Sequence, residues 1–140
     1  MNNDLDNQTS HKEKKKILLV EDSKSNRELF SIILDDIGYE VETAENGSVA
    51  VDAFESNNYD LILMDCEMPI MDGFEATKRI RILEKKNKSL TTIPIIALSA
   101  RALDRDKEEC FEAGMDDYIK KPVSLSKFSS ILKEWFEKKM

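Results

Sequence analysis

Acidic residues, one hydroxyl and one lysine follow four short apolar runs of this chain. Glu21 and Asp22 come directly after ILLV, and Asp65 ends the run LILMD. Ser99 ends the run IPIIALS, and Lys121 follows the short segment DYIK. If these runs are parallel β-strands, their carboxyl ends meet at one edge of a sheet. Three carboxylates, a hydroxyl and an ammonium group then converge there.

This set of side chains suits phosphoryl transfer to an aspartate. Clustered carboxylates repel one another unless a cation is present, and Mg²⁺ prefers oxygen ligands while it keeps positions open for water and phosphate. Asp65 would be the nucleophile and form an acyl phosphate. The metal and Lys121 would neutralise the transferring group, and Ser99 would donate a hydrogen bond to a phosphoryl oxygen.

An alternation of strand and helix patterns positions these residues. The strand patterns cover residues 17–21, 39–44, 60–65, 91–100 and 117–123. The helix patterns cover residues 23–38, 46–56, 74–86, 104–114 and 124–140. Several of the strands are apolar throughout, which is typical of strands buried on both faces. Five consecutive βα units predict an α/β fold, with a doubly wound five-stranded parallel sheet covered by helices on both faces.

Local signals mark the ends of some helices. Ser25 and Glu28 have the spacing of a capping box at the start of the first helix. Gly38 and Gly114 are the last residues of the first and fourth helix patterns, where glycine commonly ends a helix.

Composition restricts the class of protein. The chain has 140 residues, 41% hydrophobic and 35% charged, which is typical of one soluble globular domain. Its net charge of −7 disfavours non-specific binding to nucleic acids or anionic membranes. The two cysteines, Cys66 and Cys110, form no CxxC pair, so we expect two reduced thiols.

The first 15 residues differ from the rest. Residues 1–15 are polar and lack an apolar period, which predicts a disordered leader before a domain at residues 16–140. The leader lacks the apolar segment of a signal peptide, and no apolar run approaches the roughly 20 residues of a membrane span. We therefore expect a cytoplasmic location and no membrane attachment by the chain itself.

Four segments resemble the receiver domain of two-component response regulators: ILLVEDS, DLILMDCEMPIMDGFEATKRIR, IPIIALSA and AGMDDYIKKPV. They occur in the order and spacing of that family, and the resemblance covers roughly residues 16–138. The segment MDCEMPIMDGFEAT is most similar to receivers of hybrid histidine kinases and phosphorelays. The resemblance implies a flavodoxin-like sheet and a receiver (response regulatory) domain over residues 16–140.

The resemblance also implies an acceptor and a metal site. Asp65 would accept the phosphoryl group and contribute to binding Mg²⁺ or Mn²⁺. Asp22 would bind the metal directly, and Glu21 would act through water. Glu67 would offer its backbone carbonyl and not its side chain.

A second set of implied roles concerns the response to phosphorylation. Lys121 would pair with the phosphoryl group, and Ser99 would be the switch hydroxyl. Ala100 would be the small neighbour that admits the phosphate. Tyr118 matches the switch aromatic and would turn inward, and Pro122 would follow a cis peptide bond.

The implied function is signal transduction in a phosphorelay. The phosphoryl group would come from a phosphohistidine on a histidine kinase or a histidine phosphotransfer domain, because the only histidine, His11, lies in the leader. Phosphorylation would switch the surface formed by helix 4, strand 5 and helix 5. The domain would catalyse only its own phosphorylation and dephosphorylation, so it is not an enzyme in the usual sense. A homodimer formed on phosphorylation is a further option.

Several alternatives can be compared with the sequence. A haloacid-dehalogenase-type phosphatase needs D-x-D on its first strand, whereas Asp65 lies on the third and is followed by Cys66 and Glu67. Neither GxxxxGK[ST] nor GxGxxG is present, so nucleotide binding is disfavoured. A receiver-like interaction module that is never phosphorylated remains the alternative. Met1 and the leader favour a complete single-domain protein, but a receiver cut from a larger kinase or regulator stays open.

The charges at two further positions suggest a hypothesis about phosphoryl lifetime. Glu67 and Arg101 each lie two residues beyond a predicted pocket residue and carry opposite charges. If they pair over the pocket, they would hinder attack of water on the phosphoaspartate. Two solvated side chains without coupling are the alternative.

Overall fold

The computed structural model describes residues 14–89, 91–100 and 104–139. Of the predicted leader, residues 1–15, only Lys14 and Lys15 fall within these ranges. The described strands are β1 (Lys16–Val20), β2 (Glu40–Ala44), β3 (Leu61–Asp65), β4 (Ile95–Ser99) and β5 (Asp117–Lys120). They form one parallel sheet in the order β2-β1-β3-β4-β5.

Helices alternate with the strands along the chain. Those described are α1 (Lys24–Ile37), α2 (Gly47–Ser56), α3 (Gly73–Lys86), α4 (Asp104–Ala113) and α5 (Leu125–Glu134), followed by a π-helical turn at Trp135–Lys139. The predicted order of five βα units is therefore confirmed. Among the described helices, none has both the length and the apolar character that a membrane span requires.

Ser23 and Gly38 set the ends of α1. The Ser23 hydroxyl accepts a hydrogen bond from the Asn26 N–H at 3.3 Å, so Ser23 is the N-cap. The predicted capping box of Ser25 and Glu28 is wrong, because Ser25 already lies within the first helical turn. Gly38 follows the helix with φ of 116°, a left-handed conformation that glycine adopts without a Cβ clash.

Strand side chains alternate between two helical layers. On one face of the sheet, residues such as Met64 and Ala97 pack with side chains of α2, α3 and α4. On the other face, residues such as Leu63 and Leu98 pack with α1 and α5. All residues of β3 and β4 are buried, as expected for central strands covered on both faces. The sheet is therefore doubly wound, as predicted.

The strand order creates a crevice at one edge of the sheet. β1 lies between β2 and β3, so the chain moves to one side of β1 for β2 and then crosses to its other side for β3. Ligands of such sheets bind outside the carboxyl ends of the strands at this point of reversal. Val20 pairs with Met64 in register, so the residues that follow them, Glu21 and Asp65, lie at the same level.

A half-buried arginine, Arg81, connects segments at the opposite edge of the sheet. Arg81 on α3 donates hydrogen bonds to the carbonyls of Gly114 (2.9 Å) and Ile93 (2.8 Å) and contacts carboxylate oxygens of Glu84 and Asp116, each at 2.8 Å. Glu84 is 5% exposed, and its second oxygen accepts the Ile93 N–H at 2.7 Å. Arg81 thereby connects α3 to the segments that lead into β4 and β5.

We predict that Arg81→Met lowers the free energy of unfolding by about 3 kcal/mol, because it leaves the buried Glu84 carboxylate without its counter-charge. Urea unfolding followed by circular dichroism measures the change. Arg79→Met is the matched control on the same helix, since Arg79 pairs with Glu75 on the exposed surface; we expect a change within about 0.5 kcal/mol. Equal losses in the two variants would contradict the prediction.

Candidate functional site

The carboxyl edge of the sheet brings most of the predicted site residues together. Glu21 and Asp22 follow β1, Asp65 is the last residue of β3, and Lys121 follows β5. Carboxylate oxygens of Glu21, Asp22 and Asp65 lie within 4.8 Å of one another. Ser99 ends β4, paired in register with the residue before Lys121. The convergence expected from parallel strands is therefore present.

Lys121 balances the charge of two buried carboxylates. Its Nζ lies 2.8 Å from Glu21 Oε1 and 3.3 Å from Asp65 Oδ1. Glu21 is 1% exposed and Asp65 is 3% exposed, so solvent screens these contacts little. Burial by itself lowers the pKa of Lys121, but its contacts with Glu21 and Asp65 raise that pKa above its usual value. The lysine is thus held as a cation inside the crevice.

The Asp65 carboxylate is destabilised despite this lysine. Burial is the main cause and the negative charge of Glu21 the second, and together they raise the pKa of Asp65 to about 7. The positive charge of Lys121 and a hydrogen bond from the Glu67 N–H at 3.4 Å oppose the shift. The site therefore carries more negative charge than its own residues neutralise.

The three carboxylates fit a hard divalent cation. Their oxygens are close enough to share one ion, and Asp22, unlike Glu21 and Asp65, is exposed, which leaves the site open to solvent. Oxygen ligands of this kind suit Mg²⁺, which binds through few carboxylates and retains water molecules. Glu21, Asp22 and Asp65 could hold such an ion, which would also relieve the repulsion that raises the pKa of Asp65.

The turn after β1 is fixed by hydrogen bonds that sequence analysis missed. The second carboxylate oxygen of Glu21 accepts the Ser23 N–H at 3.0 Å. Arg27 Nη1 donates to the carbonyls of Glu21 (2.9 Å) and Asp22 (3.0 Å). No motif identifies Arg27, because its guanidinium reaches back from α1 to backbone atoms and not to an acidic side chain.

The loop between β3 and α3 packs directly behind Asp65. The Gly73 N–H donates to the Cys66 carbonyl at 3.0 Å, and a Cβ at Gly73 would lie 2.2 Å from the Asp65 carbonyl oxygen. Only glycine allows this approach. Ile70 has φ of 72°, in a tight turn closed by the Met71 N–H and the Pro69 carbonyl at 2.8 Å. The implied role of the Glu67 carbonyl as a metal ligand stays a prediction.

The predicted switch residues lie on the neighbouring strands. Ser99 is 3% exposed at the end of β4, and Ala100 is exposed just beyond it. The Tyr118 hydroxyl is already buried, so the implied inward turn of this ring starts from an inward position. Burial raises the pKa of Tyr118, and the Ser99 side chain opposes part of that rise. The peptide bond between Lys121 and Pro122 is cis, as the resemblance implies.

Two remaining sequence hypotheses have different outcomes. Arg101, the proposed partner of Glu67, lies outside the described residues. Cys66 and Cys110 are free thiols, as expected, but the sulfur atoms lie only 3.7 Å apart. The two cysteines are 44 positions apart in sequence, and no sequence pattern indicated this contact.

Comparison with known proteins matches this geometry to one family. A family model described as "Response regulator receiver domain" matches residues 17–133. Hybrid signal transduction histidine kinase B of Dictyostelium discoideum is 48% identical over 118 residues, which cover 79% of this chain and 6% of that protein. The chain therefore spans only a small part of the length of this relative.

Two solved structures are similar over most of their length. One is the receiver domain of sensor histidine kinase PA1611 from Pseudomonas aeruginosa PAO1, with magnesium in its active site cleft. It has 42% identity and a TM-score of 0.77, and covers 87% of this chain and 97% of that one. The other is the receiver domain of Ssk1 with the histidine phosphotransfer protein Ypd1, both from Saccharomyces cerevisiae. The similarity covers 87% of this chain and 88% of the matched chain, with 34% identity and a TM-score of 0.83.

We predict that Asp65→Asn stabilises the metal-free protein by about 2 kcal/mol, because it removes a buried charge beside Glu21 while Lys121 keeps its Glu21 contact. Denaturant unfolding in EDTA measures the change. Asp52→Asn, at an exposed position on α2, is the control, with an expected change within about 0.5 kcal/mol. Added Mg²⁺ should stabilise the wild type more than the Asp65 variant. A less stable Asp65→Asn protein in EDTA would refute the charge-repulsion account.

Proposed function

This chain belongs to the response regulator receiver domain family, and we propose that Asp65 accepts a phosphoryl group from a phosphohistidine on a partner protein. The observation that carries the proposal is the arrangement of Asp65 at the tip of β3. It is buried, and it lies 3.3 Å from Lys121 and within 4.8 Å of two further carboxylates. A buried acid among other acids is costly for stability, and acids perturbed in this way cluster at functional sites.

The residues at this site are positioned to carry out phosphoryl transfer from phosphohistidine to Asp65. An Asp65 carboxylate oxygen forms the new P–O bond while the P–N bond of phosphohistidine breaks, and the imidazole leaves with the electron pair and takes up a proton. Lys121 then pairs with a phosphoryl oxygen, which suits an ammonium already held in the crevice. The Ser99 hydroxyl donates to a second phosphoryl oxygen, and the small side chain of Ala100 leaves space for the group.

The metal site would be formed by Asp22 directly, by Glu21 through water, by Asp65 and by the Glu67 carbonyl. Mg²⁺, or Mn²⁺ in its place, supplies positive charge that neutralises the phosphoryl oxygens when it is bound. The magnesium ion of the PA1611 receiver domain supports this choice. Lys121 would reach the phosphoryl group from its position after β5, next to Pro122 and the cis peptide bond.

The output would be a change of surface. Ser99 would move toward the phosphoryl group, and Tyr118, whose hydroxyl lies in the same buried region, would adjust to the space that Ser99 leaves. The surface formed by α4, β5 and α5 would then shift between two states. The chain is not an enzyme that turns over a separate substrate, but it would also catalyse hydrolysis of its own phosphoaspartate.

The partner would be a histidine kinase or a histidine phosphotransfer domain. The complex of Ypd1 with the Ssk1 receiver domain supports this class of partner. Leu29 (50% exposed) and Ile32 (67% exposed) on α1 offer apolar surface for a helical partner near the crevice. We further propose a receiver domain at residues 16–140 after a polar leader, a cytoplasmic location, no nucleic-acid ligand, and a homodimer formed on phosphorylation as an option.

We predict that wild-type protein incubated with acetyl phosphate gains the mass of one phosphoryl group only when Mg²⁺ is present. Intact-mass spectrometry measures the gain, and Asp65→Asn should show none because the nucleophile is absent. A gain that persists in Asp65→Asn would overturn the acceptor assignment. If neither acetyl phosphate nor a phosphorylated histidine phosphotransfer protein modifies the wild type, the proposal fails in favour of a non-phosphorylated interaction module.

We predict that Lys121→Met slows phosphorylation by acetyl phosphate by at least about tenfold, because it removes the charge that stabilises the transferring group. Time courses of intact mass give the rates, after circular dichroism has shown that the variant is folded. Lys120→Met is the matched control, since Lys120 is the exposed neighbour on β5, and its rate should change less than about twofold. Similar rates for Lys121→Met and the wild type would remove Lys121 from the mechanism.

A further inference from the structure

The two cysteines of the chain form a contact between β3 and α4. Cys66 follows Asp65 at the end of β3, and Cys110 lies in the second half of α4. Their sulfur atoms are 3.7 Å apart, although 44 positions separate them in sequence. Both belong to the same buried cluster and are at most 2% exposed. The fold therefore holds two thiols in contact beside the acceptor aspartate.

A small cavity gives these thiols a place to meet a reagent. Its volume is about 40 Å³, enough for a molecule the size of water or hydrogen peroxide. Its lining contains both cysteines and Ser99, with Phe74 and the acidic residues Glu67, Asp106 and Glu109. Asp106 is 7% exposed, and its buried Oδ2 has no hydrogen-bond partner among the described residues. The lining thus combines two sulfur atoms with a carboxylate oxygen that can accept a hydrogen bond from a bound molecule.

The sulfurs are close enough for a bond, but they do not make a metal site with their neighbours. A disulfide requires the separation to shorten to about 2.05 Å, and at 3.7 Å the two sulfur atoms are already in van der Waals contact. Among the described residues, the one group of three or more metal-ligating side chains with atoms this close is Glu21, Asp22 and Asp65. Two thiols without a third ligand favour oxidation over binding of a soft metal.

We propose that Cys66 and Cys110 are a reversible oxidation site, at which a hydroperoxide converts the thiol pair to an intramolecular disulfide. The cytosol is reducing, so such a bond would be transient, as redox-sensing disulfides are. Nothing in the phosphoryl-acceptor role requires a thiol at either position. The pair is therefore a second chemical site within the same domain.

The chemistry balances with one peroxide per disulfide. One sulfur attacks a peroxide oxygen, the O–O bond breaks, and a sulfenic acid and a molecule of water result. The second sulfur then attacks the sulfenic sulfur, the S–O bond breaks, and the hydroxyl leaves as water with the proton of the second thiol. The two thiols lose two electrons to the peroxide. The nearby second sulfur traps the sulfenic acid before further oxidation.

The disulfide would connect the end of β3 to α4. It closes a loop of more than 40 residues that contains α3 and β4, so it restricts the unfolded chain and stabilises the fold. Ser99 lines the same cavity as the two cysteines. A disulfide that holds α4 against this cavity would therefore limit the movement of Ser99 toward a phosphoryl group. This second consequence, slower phosphorylation after oxidation, rests on the proposed function.

The test treats the full chain with a modest molar excess of hydrogen peroxide and then removes the peroxide with catalase. The expected product is a monomer that is lighter by about 2 Da, the mass of two hydrogens, and it regains this mass with dithiothreitol. Tryptic digestion without reduction should yield residues 28–78 joined to residues 108–120, since each of these peptides contains one cysteine. The melting temperature should rise by about 5 °C on oxidation.

Two single variants provide the controls. Cys66→Ala and Cys110→Ala should each lose the joined peptides and accumulate a heavier, singly oxidised thiol, because no second sulfur traps the sulfenic acid. The proposal is overturned if the wild type keeps both thiols, gains oxygen on Cys66 or Cys110 itself rather than on methionine, or forms only disulfide-linked dimers. The wild-type result does not depend on the folding of any variant.

A separate arm tests the consequence for phosphorylation. Oxidised wild type should accept phosphate from acetyl phosphate about fivefold more slowly than reduced wild type, within the usual range of coupling between sites. Equal rates would overturn the coupling but not the disulfide. No phosphorylation of the reduced protein would instead count against the proposed function, and the peptide map would still decide on the disulfide.

Discussion

The charge balance between Lys121 and two buried carboxylates is the constraint on which the rest of the site depends. Glu21 and Asp65 would repel each other in a low-dielectric crevice, and one ammonium 2.8 Å and 3.3 Å away reduces that repulsion without removing it. Burial and, second, the charge of Glu21 raise the pKa of Asp65 to about 7, and the remaining negative charge favours binding of a cation. A site of this kind is poorly stable alone and well suited to binding a metal ion and a phosphoryl group.

The fold meets this constraint through strand alternation. Ile17 and Leu19 pack on the face covered by α1 and α5, and Glu21 continues their period of two beyond the strand. Leu61, Leu63 and Asp65 follow the same pattern on β3. The side chains that carry charge therefore extend the apolar rows of one face. The burial of those apolar rows fixes the position of the charged residues that follow them. The Arg81 contacts stabilise the amino ends of β4 and β5.

Much of this fold follows from sequence, because short apolar strands and helices that end at glycine are local signals. The residues at the carboxyl edge were also predictable, since the carboxyl ends of parallel strands lie at one edge of the sheet whatever the conformation of the loops. The N-cap of α1 could not be predicted. Ser23 and Ser25 are both suitable residue types for an N-cap, and only the backbone conformation distinguishes them. The contacts of Arg27 and Arg81 with backbone carbonyls were missed for a different reason: every residue has a carbonyl, so residue type does not identify the acceptor.

The contact of Cys66 with Cys110 could not be predicted from sequence either. The alternation of side chains along β3 nevertheless explains on which face of the sheet the contact lies. Asp65 points toward the carboxylates and Lys121, so its neighbour Cys66 must point to the opposite face, where Ala97 and Cys110 pack. Ser99 and Tyr118 are directed to this second face as well. The residues proposed to bind the phosphoryl group and those proposed to respond to it thus lie on opposite faces of the sheet. A bond between the cysteines would act on the responding face, while the carboxylates and Lys121 keep their own contacts.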